Sequence, residues 1–269
     1  QNIAKLFVAA FVPGLLAAVG YIIAISIYVR IFPDSAGLRE RAPYKERFRS
    51  LLDVWPVLVI FLAVVGGIYS GWFTPTEGAA VGAAGTGLLA LVNGGLTWKT
   101  LIESILSTAS ATAMIFFIVF GASIYNGFLA LSHVPVELAN WVVELGLNPW
   151  AVLVLILCIY LVLGCVMDSL SMILLTIPIF FPIVTVLDYG LGSEEFALWF
   201  GILVLIVVEV GLITPPVGMN LFVINSMANE TPLSSTFKGV VPFIMSDLIR
   251  TAILVMFPSI TLVLLRLLY

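Results

Sequence analysis

Two consecutive prolines, Pro215 and Pro216, interrupt a long apolar stretch of this chain. A proline inside a helix removes one hydrogen bond and clashes with the preceding turn, at a cost of about 3 kcal/mol, so no continuous helix is expected across the pair. In lipid the freed backbone groups have no water to bind, and such a break is tolerated only where protein or a polar cavity satisfies them. Because many secondary transporters place substrate and ions at broken helices, residues 211–220 indicate a transport site.

The rest of the chain is also strongly apolar. Hydrophobic residues make up 62% and charged residues 10% of its 269 residues, against about 45–50% and 25% in soluble domains. We therefore expect an all-α polytopic membrane protein in a lipid bilayer, without a soluble domain. The few charges form no basic patch, so no nucleic-acid partner is expected. Apolar spans are predicted at residues 7–29, 51–70, 75–92, 101–131, 149–166, 169–186, 196–213, 217–227 and 240–268.

The distribution of basic residues predicts the orientation in the membrane. One predicted loop after the first span holds six of them: Arg30, Arg39, Arg41, Lys45, Arg47 and Arg49. The positive-inside rule places this loop in the cytoplasm. Counting crossings from it puts Trp72 and the connections 133–148 and 188–195 outside, and Lys99 and Lys238 inside. The two outer connections contain no Lys or Arg, which supports this layout, whereas Arg266 at the predicted outer C-terminal end opposes it.

The segment 149–186 has two interpretations, a re-entrant hairpin or a pair of full spans, because both return the chain to the same side. Its turn, residues 164–171, has no basic residue to hold it at the cytoplasmic surface, which favours a hairpin tip buried in protein. Pro178 and Pro182 weaken the second limb as a regular helix.

The motif Thr74-Pro75-Thr76-Glu77 predicts the start of a helix. Threonine suits the N-cap, proline the first helical position, and glutamate the reciprocal member of a capping box. A role of Glu77 in proton or ion handling near the membrane edge is the alternative. Three glycines behind the motif share one helix face and predict close helix packing: Gly78, Gly82 and Gly85.

Asp168 follows the turn of the 149–186 segment, where aspartate is a favoured N-cap. Capping alone could account for Asp168. If this turn lies at mid-membrane, however, an ionisable residue there costs about 2.5–3.5 kcal/mol, which makes a functional role an equal alternative. Ser169 and Ser171 add hydroxyl oxygens, the ligand type that hard cations such as Na⁺ prefer.

Thr214 is expected to cap a new helix that begins with Pro215 and Pro216, while the segment ending near Gly211 leaves carbonyl groups without helical partners. Carbonyl ends favour a cation and amide ends a carboxylate, a pairing that suits co-transport of Na⁺ with an organic anion. A proline-kinked helix without a ligand is the alternative. Three polar residues near the break favour packing hydrogen bonds somewhat over direct ligation, which stays the alternative: Glu209, Asn220 and Asn225.

Cys158 and Cys165 lie seven residues apart in one apolar stretch, so both are predicted to face one side of a helix as buried, unpaired thiols. His133 lies in a different segment, so no zinc or haem site is expected.

Three separated motifs, residues 71–77, 164–182 and 211–220, together resemble the large membrane subunit of tripartite ATP-independent periplasmic (TRAP) transporters over essentially the whole chain. The resemblance implies an ion-transporter-like fold of two inverted repeats, each with a re-entrant hairpin and a broken helix, in an elevator-type transporter. The chain resembles the C-terminal part with the second repeat, so the first repeat is expected before Gln1 of a longer protein.

The resemblance also implies a division of the chain. Residues 1–50 are a transmembrane helix and a basic cytoplasmic loop linking the repeats, and 51–148 are membrane helices of the second repeat. Residues 149–228 hold the hairpin and discontinuous helix, and 229–269 the C-terminal transmembrane helix. The implied Na⁺ ligands are Ser169, Ser171, Gly211, Thr214 and Val217, partly through backbone carbonyls. The residues predicted to bind substrate are Asp168, Ser169, Thr214, Pro215, Pro216, Gly218 and Asn220.

The implied function is Na⁺-coupled uptake of a C4-dicarboxylate or sialic-acid-like anion across the bacterial inner membrane. The implied partners are a small membrane subunit and a periplasmic binding protein that delivers the substrate. No enzyme activity or organic cofactor is expected, since no phosphate-binding loop or nucleophile constellation is present. The alternative is a two-component Na⁺/dicarboxylate or related ion symporter that works without a binding protein.

Overall fold

The computed structural model describes residues 3–33, 43–227 and 232–268, which contain eleven α-helices. In the first half of the chain these are α1 (Ile3–Ile31), α2 (Tyr44–Tyr69), α3 (Pro75–Val92), α4 (Trp98–Ser132) and α5 (Val134–Glu144). The second half contains α6 (Pro149–Gly164), α7 (Ser169–Thr185), α8 (Ser193–Ile213), α9 (Met219–Met227), α10 (Leu233–Met256) and α11 (Pro258–Leu268). Arg39, Arg41 and the predicted boundary between 228 and 229 lie outside the described residues.

Four helices of the described chain are long and apolar enough to cross a membrane: α1, α4, α8 and α10. α2 is a fifth candidate if its two bent parts count as one span. The prediction of an all-α, multi-pass membrane protein is confirmed for the described residues. The chain divides into two compact units, one of Ala9–Ile31 and Ile115–Tyr269, here the hairpin unit, and one of Asn2–Val8 and Phe32–Met114.

In the second unit, α2 and α3 form an antiparallel pair that packs through the predicted glycine face. A methyl group added at Gly85 would lie 3.2 Å from Ile60, and one added at Gly78 only 2.9 Å from Ile68. Side chains of α2 therefore occupy the space that these glycines leave open, as the spacing predicted.

The turn between α2 and α3 ends in the predicted capping box. The backbone N–H of Glu77 donates to Oγ1 of Thr74 at 3.3 Å, and the Glu77 carboxylate accepts from the backbone N–H of Thr74 at 2.8 Å. The structural role of Glu77 is confirmed, while ion handling by Glu77 stays a prediction.

In the hairpin unit, α8 occupies the centre and packs against α6, α7, α9, α10 and α11. Most of its residues are apolar and buried, which is the pattern of a helix largely surrounded by protein, although Leu205 and Glu209 lie on one exposed face. Trp199, Leu203 and Val208 are all fully buried. The surrounding helices are thus arranged about α8.

The helices α6 and α7 form an antiparallel hairpin with its tip at residues 165–168. The Thr176 hydroxyl, midway along α7, donates to the Tyr160 hydroxyl of α6 at 2.9 Å, and the Tyr189 hydroxyl donates to the Pro149 carbonyl at 3.1 Å at the open end. The predicted weakening of α7 is wrong, because α7 runs unbroken through Pro178 and Pro182. Packing against α5 and α8 holds α7 despite the lost hydrogen bonds.

The predicted connection 133–148 contains a helix, α5, that the sequence analysis missed. It has a proline in its first turn, where the missing N–H costs no helical hydrogen bond. It buries Pro135 and Ala139 and packs against α7, so tertiary contacts stabilise a helix too short to be recognised as a span.

The predicted single C-terminal helix is also wrong, since α10 ends at Met256 and α11 begins at Pro258. Proline cannot donate the hydrogen bond that would continue α10, and Phe257 between them has a non-helical ψ of 75°. After this break, α11 buries Thr261, Leu262 and Leu265.

Four of the six basic residues in the predicted loop lie in helices within the described parts of the chain. Arg30 lies in the last turn of α1, and Lys45, Arg47 and Arg49 lie at the start of α2. Pro43 occupies the N-cap of α2, and Lys and Arg are good helix formers, so α2 begins before the apolar run does.

Candidate transport site

The hairpin tip meets the end of α8 where two glycines touch. A methyl group added at Gly211 would lie 2.7 Å from the Cα of Gly164 and 3.0 Å from the carbonyl oxygen of Leu161. One added at Gly164 would lie 3.1 Å from the Val208 carbonyl oxygen. A side chain at either position would push the backbone of α6 away from the backbone of α8. The two glycines therefore permit the close contact between these helix ends.

A hydrogen bond and a thiol contact add to the glycine contact. The backbone N–H of Gly218 donates to the Cys165 carbonyl at 3.2 Å, and the Cys165 thiol lies 3.7 Å from the Pro215 carbonyl oxygen. Gly218 has a φ of +60°, a left-handed conformation that favours glycine and aims its N–H at the tip. The tip and the break are therefore joined through backbone groups.

The break itself is confirmed, but its capping differs from the prediction. Thr214 does not begin a new helix; it is the C-cap of α8, and α9 begins only at Met219. The Thr214 hydroxyl donates to the Val210 carbonyl at 2.6 Å, and its N–H to Gly211 at 2.9 Å. Because both groups bond backwards into α8, Thr214 satisfies carbonyls instead of amides.

The prolines after Thr214 lie outside both half-helices. Pro215 and Pro216 are exposed and are joined by a cis peptide bond. Val217 is half-buried and Asn220, in the first turn of α9, is exposed. The segment 214–218 thus presents backbone carbonyls, without helical geometry, between α8 and α9.

Asp168 occupies the predicted N-cap of α7, with its carboxylate accepting the N–H of Ser171 at 2.9 Å. Asp168, Ser169 and Ser171 are all half-buried. Within the described parts of the chain, no hydrogen bond joins these three residues to the break. Their roles as Na⁺ or substrate ligands stay predictions.

Of the three polar residues expected to serve packing, one does so in the structure. The Asn225 side-chain carbonyl accepts a hydrogen bond of 2.9 Å from the Thr236 hydroxyl, which joins α9 to α10. Glu209 and Asn220 are exposed, and no side-chain hydrogen bond to a described residue is seen for either. Packing roles for Glu209 and Asn220 are therefore not supported.

Four helix ends lie around this junction. The C-termini of α6 and α8, which carry partial negative charge, meet at Gly164 and Gly211. The N-termini of α7 and α9, which carry partial positive charge, begin a few residues later at Ser169 and Met219. Such an arrangement can stabilise a cation beside the carbonyl ends and an anion beside the amide ends.

The sequence model of the tripartite ATP-independent periplasmic transporter family, DctM component, matches residues 1–260. The chain belongs to this family. It is 35% identical over 264 residues to the C4-dicarboxylate TRAP transporter large permease protein DctM of Pseudomonas aeruginosa, covering 98% of this chain and 60% of that protein. It is 31% identical over 270 residues to the sialic acid TRAP transporter large permease protein SiaM of Vibrio cholerae, with the same 98% and 60% coverage.

A third relative is the isethionate TRAP transporter permease protein DctMQ of Oleidesulfovibrio alaskensis, which is 31% identical over 248 residues, 90% of this chain and 37% of that protein. The chain spans about 60% of the length of the DctM and SiaM relatives. The resemblance drawn from three motifs is confirmed at the level of the family, and these relatives are named as permeases rather than enzymes.

The residues that join tip to break in this DctM-family chain were not all predicted. Gly164 and Cys165 make the contacts, although the sequence analysis treated Cys165 only as a packing thiol. The prediction of two buried cysteines on one helix face is wrong: Cys158 is exposed and Cys165 is buried, because α6 ends at Gly164. The sequence signal that could have identified this contact is a glycine at the C-terminal end of each of two apolar segments.

Proposed function

We propose that this chain is part of the large permease of a TRAP transporter that imports a small organic anion with Na⁺ across the bacterial inner membrane. The substrates named for two relatives, C4-dicarboxylate and sialic acid, both carry a carboxylate. Isethionate, named for a third, carries a sulfonate, so the shared feature is an anionic group on a small organic molecule. A carboxylate-bearing substrate is proposed because two of the three relatives named above, including the one at 35% identity, are named for substrates of that kind.

The contact between hairpin tip and helix break carries the proposal. Na⁺ would lie beside the C-termini of α6 and α8, coordinated by oxygens of Ser169, Ser171, Gly211, Thr214 and Val217. The substrate anion would lie beside the N-termini of α7 and α9, with contacts from Asp168, Ser169, Thr214, Pro215, Pro216, Gly218 and Asn220. Na⁺ binding would hold the re-entrant tip against the break and so complete the anion site.

Transport would follow an elevator movement of the hairpin and broken helix, with the Na⁺ gradient supplying the free energy. The proposed partners are a small membrane subunit and a periplasmic binding protein. The negative charge of Asp168 would repel a bound anion. This is consistent with Asp168 acting indirectly, by capping α7 and by interacting with the bound cation.

The test is uptake by proteoliposomes that contain the full-length large subunit, its small subunit and the binding protein. An inward Na⁺ gradient is compared with K⁺ in place of Na⁺, with and without the binding protein, for C4-dicarboxylates and sialic acid. Uptake that requires both Na⁺ and the binding protein is expected. Uptake without the binding protein would favour a two-component symporter, and uptake indifferent to Na⁺ would refute the coupling.

A substitution at Thr214 tests the placement of the Na⁺ site. Thr214→Ala removes a hydroxyl oxygen at the break and is expected to abolish Na⁺ stimulation while the protein stays folded. Thr185→Ala is the matched control, because the Thr185 hydroxyl also donates to a backbone carbonyl at a helix C-terminus, that of Pro182 at 3.0 Å, but far from the tip. Wild-type Na⁺ dependence in Thr214→Ala would remove Thr214 from the site.

A further inference from the structure

A buried charge cluster joins α1 to α10 within the hairpin unit. Asp247, in the interior of α10, is 2% exposed. Its Oδ1 lies 3.0 Å from Nη2 of Arg250, one turn further along α10, and its Oδ2 accepts a hydrogen bond of 2.7 Å from the Tyr21 hydroxyl on α1. The three side chains connect two helices that are both candidates to cross the membrane.

This cluster is poorly explained as a source of stability. Ionisable residues inside membrane helices are costly, and burying an ion pair often stabilises a protein less than apolar packing would. The charged atoms of Asp247 and Arg250 are close but not aligned for a hydrogen bond. Within the described residues Asp247 Oδ1 therefore has no donor and Arg250 Nε no acceptor. A cluster that costs free energy to bury and leaves polar atoms without hydrogen-bond partners points to a role in holding the helices in position.

The cluster fixes the position of α10, and α10 in turn is bonded to both halves of the broken helix, α8 and α9. The Trp199 indole N–H of α8 donates to the Leu254 carbonyl of α10 at 2.9 Å. Thr236 of α10 donates to Asn225 of α9 at 2.9 Å. Asp247 lies between these two points of attachment, so α10 links α8 to α9 and is itself held to α1.

We propose that Tyr21, Asp247 and Arg250 are positioning residues for the Na⁺ site. They hold α10 on α1, and α10 holds α8 and α9 at the separation that the break requires. The inference rests on the proposed function for the existence of that site. It adds that α1 and α10 stay together throughout the transport cycle.

The mildest test is Tyr21→Phe, which removes the interhelical hydrogen bond and keeps the ring. In the complete transporter in proteoliposomes, the Na⁺ concentration for half-maximal uptake is expected to rise about tenfold, the scale of one hydrogen bond to a charged group. The quantity and melting temperature of the purified complex are measured alongside. Tyr125→Phe, at an exposed tyrosine of α4, is the control. An unchanged Na⁺ midpoint in Tyr21→Phe would overturn the proposal.

The ion pair is tested by one single and one double variant. Asp247→Asn leaves Arg250, whose side chain is only 14% exposed, without its counter-charge, and uptake is expected to fall more than tenfold. Asp247→Asn with Arg250→Gln removes both charges and is expected to recover most of that loss. A double variant no better than a folded Asp247→Asn protein would contradict the pairing.

A disulfide tests whether the helices stay together, and it does not depend on how the charge variants fold. A Cβ placed at Gly20 lies 4.0 Å from the Cβ of Ser246, within the range of disulfide bonds. The Gly20→Cys/Ser246→Cys protein is expected to keep at least half of its reduced-state uptake when oxidised. Loss of uptake that a reductant restores would show that α1 and α10 separate during transport.

These outcomes are distinguishable from failure of the proposed function. Wild-type uptake without Na⁺ dependence would refute the coupling whatever the variants do. Na⁺-dependent wild-type uptake with an unchanged Tyr21→Phe midpoint would refute the positioning role alone.

Discussion

At the scale of single residues, the candidate site depends on backbone groups more than on side chains. Gly164 and Gly211 allow two helix ends to touch, and Gly218 turns an N–H toward the tip through a positive φ. Side chains at the break add to these backbone contacts. The Thr214 hydroxyl, for example, donates a hydrogen bond to the Val210 carbonyl. Substitutions of the glycines should therefore be as damaging as substitutions of the proposed ligands.

Gly211→Ala is expected to separate the tip from the break. The added methyl group would lie 2.7 Å from backbone that cannot rotate away, so we expect about 1–3 kcal/mol of destabilisation and at least tenfold slower uptake. Gly239→Ala in α10 is the matched control, since a methyl group there meets nothing within 4 Å. Melting temperature and uptake are measured for both. Wild-type behaviour of Gly211→Ala would contradict the close approach.

Tyr189, at the open end of the hairpin, should make the folded protein less stable at alkaline pH. Burial raises the pKa of Tyr189 to about 12 from its usual 10, so the folded state holds the proton that the unfolded state releases. The stability that Tyr189 contributes is present below pH 10 and is lost as the pH rises from 10 to 12.

The Tyr189→Phe protein is therefore expected to be about 1 kcal/mol less stable at pH 8, since it lacks the hydrogen bond to Pro149, and to lose less stability than the wild type above pH 10. Thermal melts of the purified protein at pH 8 to 11.5 measure both effects. Parallel melting curves for the two proteins would refute this assignment.

At the scale of helices, the pair α2 and α3 shows how side-chain volume sets packing. A methyl group added at Gly85 would lie 3.2 Å from Ile60, whereas one added at Gly87 would meet nothing within 4 Å. Gly85→Leu is expected to lower the melting temperature through about 1–3 kcal/mol of overpacking, and Gly87→Leu to change it little. Equal effects of the two substitutions would show that the pair does not pack through its glycine face.

Some helices could be predicted from sequence because their signals are local. The capping box at Thr74, the glycine face behind it and the break after Ile213 each depend on residues within one or two turns. Proline and glycine dominate these signals, and their backbone effects do not need a partner. The hairpin limbs were predicted for the same reason, since a polar turn separates two apolar runs.

The features that could not be predicted depend on partners distant in the chain. α5 is helical because it packs on α7, and the split between α10 and α11 matters because α11 then packs on α8. The glycine contact between tip and break joins residues 47 positions apart, from 164 to 211, and no local pattern specifies it. The buried Asp247 was not recognised because its partner Tyr21 lies 226 residues away.

At the scale of the whole molecule, the orientation in the membrane stays a prediction on which one contact bears. Arg266, the basic residue that opposed the layout, forms an ion pair with Glu195 at 2.7 Å, so the two residues lie at the same end of the hairpin unit. α10 runs antiparallel to α8 and α9, as the Trp199 to Leu254 and Asn225 to Thr236 bonds require. This agrees with Lys238 and Ser193 lying on opposite sides of the membrane.

Labelling of single introduced cysteines tests that orientation. Ser193→Cys is expected to react with a membrane-impermeant maleimide from the periplasmic side, and Lys238→Cys only from the cytoplasmic side of inverted vesicles. Both positions are exposed, so burial does not prevent reaction. The parent protein carries Cys158→Ala and provides the background. Labelling of both positions from one side would overturn the layout.

The largely buried position of α8 has a consequence for how the protein enters the membrane during its synthesis. The hairpin helices have 16 and 17 residues, or about 24–26 Å each, which falls short of a hydrocarbon core about 30 Å thick. α8 is long and apolar enough to insert alone, yet the ribosome delivers the hairpin before it. Nascent chains that stop before Ser193 should therefore leave the hairpin unanchored and open to proteases, and synthesis of α8 should bring it into the bilayer.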